Sequence, residues 1–261
     1  METVLIITCV AFVGLMLGSF SSALAYRIPR GIPWIKASNN VPARSACTAC
    51  GHTLSFMDLV PVLSWLAQRG RCRYCKNLIS IRYPLTEIAI MLACIVTYWV
   101  YELSPASLFM IAALPFLAAL FLIDLETLTL PNKLVAKVAI LGSGLLVTEI
   151  FYTGDISAKA AFYEYGLGAL IYGWLAWLMG AVMTRILGQS ALGFGDVKFF
   201  AAAGLWLGVS NLGWYFALSG LLGVALAVIW KIFKGDQVFP FGPALIVALY
   251  LLFILDGSLL P

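Results

Sequence analysis

The stretch "LFMIAALPFLAALFLIDLETLTLPNKL", Leu108 to Leu134, sets two kinds of chemistry side by side. Its first part is apolar without a break, and a carboxylate, Asp124, closes it. The whole apolar run, 105–123, is long enough to cross hydrocarbon, which takes roughly 17–25 helical residues. Seven more apolar runs, at about 3–26, 85–101, 133–152, 162–187, 197–210, 212–230 and 240–256, repeat the pattern. The run beginning at Val197 is the short one. Composition agrees: 62% of the 261 residues are hydrophobic and 11% are charged, against about a quarter charged in soluble domains. Mean hydropathy is +0.99. The expected fold class is all-α, a polytopic membrane bundle of about eight transmembrane helices with the lipid bilayer as solvent.

Orientation follows from the basic residues. Nine of the 16 Lys and Arg lie in 27–82, and such concentrations stay on the cytoplasmic side. With that loop inside, eight spans also bring Lys133, Lys137, Arg185, Lys198, Lys231 and Lys234 to cytoplasmic ends. Only Lys159 is left outside, so both termini are expected outside. The first run ends in "SSALAY", a small-x-small pattern. It is nevertheless long, opens with Glu2 and is followed by Arg27 and Arg30, so it reads as a retained anchor. The net charge of +4 expresses this bias and attraction to anionic lipid; no nucleic-acid partner is expected. The chain divides into a first transmembrane helix (1–26), a cytoplasmic loop domain (27–84) and a membrane-embedded bundle (85–261).

The loop carries "CTACGHTLSFMDLVPVLSWLAQRGRCRYC", two C-x2-C pairs separated by 21 residues. Thiolates so spaced chelate one tetrahedral metal, and Cys47, Cys50, Cys72 and Cys75 would fill the shell of a structural zinc. The rival is a pair of disulfides or a redox dithiol, which a reducing cytoplasm disfavours. A loop this small buries little core, so metal binding would fold it. Gly51 and the "RGR" before Cys72 give each knuckle freedom to turn. His52 reads as a surface residue, and Cys9 and Cys94 as packing residues.

Most acidic residues lie in loops or at outer ends. Asp124 does not, and neither does Asp196, which opens the sixth run in "GFGDVKFF". Ionisable groups at the membrane point to function, with helix capping or a lysine contact as the plainer alternative. Counting spans puts both aspartates at cytoplasmic helix ends, where they share a depth. Two carboxylates in reach of one another share a proton; one can then activate water while the other polarises a carbonyl, as in aspartic peptide hydrolysis. Gly193 and Gly195 leave room for a peptide backbone, and Pro131 ends helical continuation after Asp124. Glu87, just inside the second run in "ISIRYPLTE", serves either the bundle or a second site beside the loop. The pairs Gly14/Gly18 and Gly204/Gly208 read as helix-packing surfaces. No P-loop or dinucleotide fingerprint occurs.

The order of motifs resembles that of the type IV prepilin peptidases, of the membrane-embedded GxGD aspartic protease group. The motifs are "GSF" and "YRIP", then "VPVLSWL", "RGRC" and "ISIRYPLTE" around the cysteines, then "D-L-x5-P-N", "GFGDVK" and "FPFGP" (239–243). The resemblance runs from about Gly18 to Pro243. It implies an enzyme of the bacterial cytoplasmic membrane that cuts the basic leader from type IV prepilins or pseudopilins. It also implies N-methylation of the new terminus with S-adenosylmethionine. Asp124 and Asp196 would be the catalytic pair and Cys47, Cys50, Cys72 and Cys75 the zinc ligands, with Glu87 and Arg82 as candidates beside the methyl donor. Ser21 and Ser22 stand where the family reads Leu-Asn. Rival readings are an ion-coupled transporter carrying protons on Asp124 and Asp196, and an assembly protein docking a secretion ATPase. The first would place its carboxylates near the midplane within repeats; the second leaves the aspartates unexplained.

Overall fold

A computed structural model of the chain describes residues 2–33, 44–153, 157–188, 192–235 and 238–259. It forms two compact units, Met1–Trp99 and Val100–Pro261.

The first unit opens with α1 (Glu2–Arg27). A polar segment follows, holding a 3-10 turn at Phe56–Leu59 and the short α2 (Leu63–Ala67). The unit takes in most of α3 (Arg82–Tyr101). α1 and α3 meet backbone to backbone: a Cβ on Gly14 would lie 2.7 Å from Met91 Cα, and one on Gly18 2.5 Å from Glu87 Cα. The Gly-x-x-x-Gly pair is therefore a packing stripe. Cys94 is buried beneath Gly14, as expected of a packing residue. Cys9 departs from that expectation: it is exposed, because it lies about 140° round α1 from Gly14 at 3.6 residues per turn.

The second unit runs through α4 (Pro105–Thr127) and α5 (Asn132–Thr148), which ends in a π-turn at Glu149–Thr153. The four-residue α6 (Ala158–Ala161) leads through a second π-turn, Phe162–Gly166, into α7 (Leu167–Leu187). Then come α8 (Phe194–Leu207), α9 (Leu212–Lys234) and α10 (Gly242–Leu259). α8 packs against α5, α7 and α10, and its 14 residues bury Phe199, Phe200, Trp206 and Leu207. It approaches α7 through glycine: a Cβ on Gly204 would come within 2.6 Å of the Gly168 backbone. Gly208 does something else, ending α8 with φ +69° beside Glu164, where a side chain would collide. Trp206 Nε1 donates to the Val138 carbonyl at 3.0 Å and ties α8 to α5.

Each of the eight apolar runs carries a helix among the described residues. Six helices are long and apolar enough to span a bilayer, which makes this a multi-pass membrane protein. α8 is the short one: 14 residues reach about 21 Å, less than the roughly 30 Å hydrocarbon core. No strand occurs among the described residues, where only isolated bridges join Ala46 to Thr53 and Arg71 to Leu78.

Candidate active site and metal centre

Asp124 sits in the last turns of α4, whose end is set by Leu128 in a left-handed conformation, φ 54°, with its N–H bonded to the Asp124 carbonyl at 2.9 Å. The side chain is 4% exposed. Its Oδ2 accepts the Gly242 N–H at 2.8 Å, the first residue of α10. A donor brought from 118 positions away along the chain thus fixes the carboxylate. Asp196 lies in the first turn of α8, where its Oδ2 accepts the Gly193 N–H at 3.2 Å. That bond caps the helix, so the plainer reading of Asp196 describes part of what it does. α8 begins against Leu130, just beyond the end of α4, and α10 begins against both Leu130 and Asp124, so that the charge of Asp124 is felt at Asp196.

Leu130, 7% exposed, is packed against the starts of both α8 and α10. A Cβ on Gly195 would lie 3.1 Å from Leu130 Cβ, and one on Gly242 would lie 2.9 Å from Leu130 Cδ2 and 2.8 Å from Asp124 Oδ2. The space left by Gly195 is thus occupied by the chain itself. Gly193 is exposed, and a side chain there would meet Asp196 Oδ2 at 2.9 Å. Lys198, one turn into α8, donates to Asn132 Oδ1 at 2.9 Å and lies 4.6 Å from the Phe194 ring centre. It anchors the Asp196 turn to the start of α5. Leu130 and Gly242 are the residues that sequence reasoning missed in this role. "FPFGP" marked the place of Gly242 without indicating its N–H.

In the first unit the four expected thiols come together, their sulfurs all within 4.8 Å of one another. Cys47 and Cys75 Sγ are 3.8 Å apart, the edge of a tetrahedron whose metal–sulfur bonds are about 2.3 Å. The two knuckles repeat one geometry. Cys47 N–H donates to the His52 carbonyl and Gly51 N–H to the Cys47 carbonyl, both at 2.9 Å. Cys72 N–H donates to the Asn77 carbonyl at 2.8 Å and Lys76 N–H to the Cys72 carbonyl at 2.9 Å. The residue after each second cysteine is left-handed, Gly51 at φ 71° and Lys76 at φ 62°. The second knuckle therefore turns on a lysine, while Gly70, with φ 67°, makes room for the Trp65 ring. The Cys50 backbone N–H draws the Cys47 thiol down to about 7, while Cys75, against the pull of the Asn77 backbone N–H, is pushed up to about 11 by burial and the neighbouring thiols, so Cys47 is the more readily ionised of the two. His52 lies against Tyr74 with ring centres 3.6 Å apart and is not one of the clustered ligands. Asp58 braces the segment: it accepts from Ser55 Oγ at 2.6 Å and Gln68 Nε2 at 3.2 Å and pairs with Arg73 at 3.1 Å.

Beside this cluster the first unit has a partly open cavity of about 640 Å³, lined by residues of α1, the cysteine segment and the start of α3. Glu87 lines it at 7% exposure, and its Oε2 accepts the Val62 N–H at 2.7 Å. Arg82 is not among the lining residues; its guanidinium lies 5.8 Å from the Tyr83 ring centre.

Helices, carboxylates and thiols together define a polytopic membrane protein with a carboxylate pair at one end of its bundle and a four-thiol centre in a separate unit. Residues 12–101 match the family described as "Bacterial Peptidase A24 N-terminal domain", and residues 111–228 match the "Type IV leader peptidase family". The chain is 33% identical to a prepilin leader peptidase/N-methyltransferase of Pseudomonas putida over 95% of its own length and 90% of that protein's. A protein of the same name from Neisseria gonorrhoeae is 32% identical over the same shares. A type 4 prepilin-like proteins leader peptide-processing enzyme of Escherichia coli O78:H11 is 32% identical over 89% of this chain and 87% of its own. The chain belongs to the type IV leader peptidase family. No solved structure matches it.

Proposed function

We propose that the chain is a peptidase of the bacterial cytoplasmic membrane that removes the leader from type IV prepilins or pseudopilins and N-methylates the new terminus. What supports the peptidase reading is that the starts of α8 and α10 gather on Leu130 beside the Asp124 end of α4, with Gly242 N–H on Asp124 and the charge of Asp124 felt at Asp196. A carboxylate pair in one site holds one proton between its members. The ionised member takes a proton from water as the water oxygen bonds to the scissile carbonyl carbon. The protonated member donates a hydrogen bond to the carbonyl oxygen. The carbon–nitrogen bond then breaks as the leaving nitrogen takes a proton from the pair.

A substrate with a basic leader before an apolar helix would lie in the bilayer, with its scissile bond at the depth of the helix ends. Gly193, the exposed glycine of the pair, flanks that passage, while Gly195 lets α8 close on Leu130. The basic segment 27–82 lies in the cytoplasm and both termini outside, in keeping with the distribution of Lys and Arg. The metal of the four thiols is a structural zinc: with all four positions filled by cysteine, none is left for water. S-adenosylmethionine, when bound, supplies the methyl group. This chain's part is to hold the freed amine neutral and in line, and Glu87 and Arg82 are its candidate residues for that step.

The test uses purified full-length protein and a prepilin. Asp124→Asn and Asp196→Asn should each lower leader cleavage by at least about 1,000-fold. Cleavage at the normal rate by either variant sinks the dyad. Methylation is scored apart, as a mass shift of a pre-cleaved substrate; no shift would leave a peptidase alone.

A further inference from the structure

The polar segment between α1 and α3 leaves several large apolar side chains uncovered. Phe56 and Met57, in the 3-10 turn, are 84% and 67% exposed. Leu63 and Leu66 of α2 are exposed as well, and their three-residue spacing puts them on one face of that helix. Trp65 is held on the inner side, its Nε1 donating to the Ile79 carbonyl at 3.1 Å. The turn packs against α2, and Asp58 ties it to the end of α2 by accepting from Gln68 Nε2 at 3.2 Å. A surface that faced only water would rarely gather such groups.

The bonds of the segment fix the level at which this surface lies. Val62 N–H, at the start of α2, donates to Glu87 Oε2 at 2.7 Å, and Glu87 lies about 7 Å along α3 from its first residue. Ser64 and Trp65 line the same cavity as Ser22 and Tyr26, in the last turns of α1. α2 therefore lies beside the ends of two membrane-spanning helices, not out beyond them. On α3 the side chains of Leu85, Leu92, Val96 and Trp99 form an exposed row, and exposed Ile81 and Leu78 carry it back toward the segment. Arg69 and Arg71 follow α2 at once, both exposed, and no carboxylate pairs with either among the described residues.

We infer that the 3-10 turn and α2 form a membrane-insertion surface. Phe56, Met57, Leu63 and Leu66 enter the boundary between headgroups and acyl chains, in the leaflet where α1 ends and α3 begins. Arg69 and Arg71 meet its phosphates. Three observations name the bilayer as the occupant. The apolar side chains lie at the level where the helices enter hydrocarbon, they continue the exposed row of α3, and the charge beside them complements anionic lipid. The four-thiol centre is braced to the same turn, since Arg73 of its second knuckle pairs with Asp58 at 3.1 Å. The centre is thereby held at the membrane surface instead of hanging in water.

The test is residue-level footprinting of the full-length protein in nanodiscs of phosphatidylcholine and phosphatidylglycerol, one copy to a disc. Hydroxyl radicals made in the water oxidise accessible methionine. Left in water, Met57 would react faster than Tyr74, which is 45% exposed; inserted, it should react more slowly. A carbene probe dissolved in the hydrocarbon should label Phe56, Leu63 and Leu66 together with Leu92 and Val96 of α3. Leu63→Asp with Leu66→Asp should release the surface and raise Met57 oxidation about fivefold or more, the partition value of a side chain or two. An unchanged thermal transition checks the fold of that variant. Met57 reacting faster than Tyr74 in the wild type overturns the insertion. Protection of Met57 without carbene labelling also overturns it, because the cover is then protein and not lipid. So does a folded double variant in which Met57 stays protected.

Discussion

At the scale of single residues, the carboxylate of Asp124 depends on a glycine that carries no functional group. Gly242 gives its N–H to Oδ2 at 2.8 Å, and a Cβ there would stand at 2.8 Å from the same oxygen and 2.9 Å from Leu130 Cδ2. Gly242→Ala must therefore push Asp124, Leu130 or the start of α10 aside. Leader cleavage by this variant should fall at least about tenfold, since misplacing a reacting group by an ångström costs orders of magnitude. The measurement is kcat on a prepilin, with the thermal transition as the fold control; unchanged kcat would remove the glycine from the site. The contrast with Asp124 itself is instructive. A carboxylate closing an apolar run announces itself in sequence, because the bilayer makes it expensive. The glycine N–H that holds it has no such signature, since every non-proline residue carries one. Leu130 was equally silent: an apolar residue before Pro131 reads as packing, and only the approach of Gly195 and Gly242 brings it into the site.

Among elements, α8 is the one on which the second unit turns. It is too short to span hydrocarbon unaided and sits among α5, α7 and α10. Its apolar run was legible, but the run 197–210 and the helix Phe194–Leu207 are offset by three residues at each end. The start is set by the Gly193 N–H on Asp196, and the end by Gly208 at φ +69°. Both are backbone conditions that hydropathy does not register. The close approach to α7 yields a paired prediction. Gly204→Val would drive a branched side chain into the Gly168 backbone, 2.6 Å from its Cβ. It should destabilise the protein by about 1–3 kcal/mol or more. Gly220→Ala, where nothing lies within 4 Å, should change stability little. Thermal unfolding in detergent separates the two; equal midpoints would mean that the α7–α8 contact is not close-packed.

For the molecule as a whole, the division into units is a division of labour between two kinds of cohesion. The second unit is held by helix burial. The segment between α1 and α3 has short turns, a brace at Asp58 and four thiols. Its stability should follow the metal. A chelator, or Cys72→Ser, should abolish binding of about one zinc per chain and leave this segment susceptible to protease, while the helices of the second unit keep their circular dichroism. Resistance of the metal-free segment to protease would argue that it folds without the ion. The cysteine spacing made the cluster legible in advance. The left-handed Lys76 was not, because nothing in "RCRYCK" distinguishes it from an ordinary lysine. The four thiols are also unequal: Cys72 is 2% exposed, Cys47 and Cys75 are half-buried, and Cys50 is exposed. Chemical attack on the centre therefore has a direction. In metal-loaded protein, where the segment is folded, an alkylating reagent should reach Cys50 first and Cys72 last. The centre would then age from the first knuckle inward, with Cys72 the last sulfur left intact.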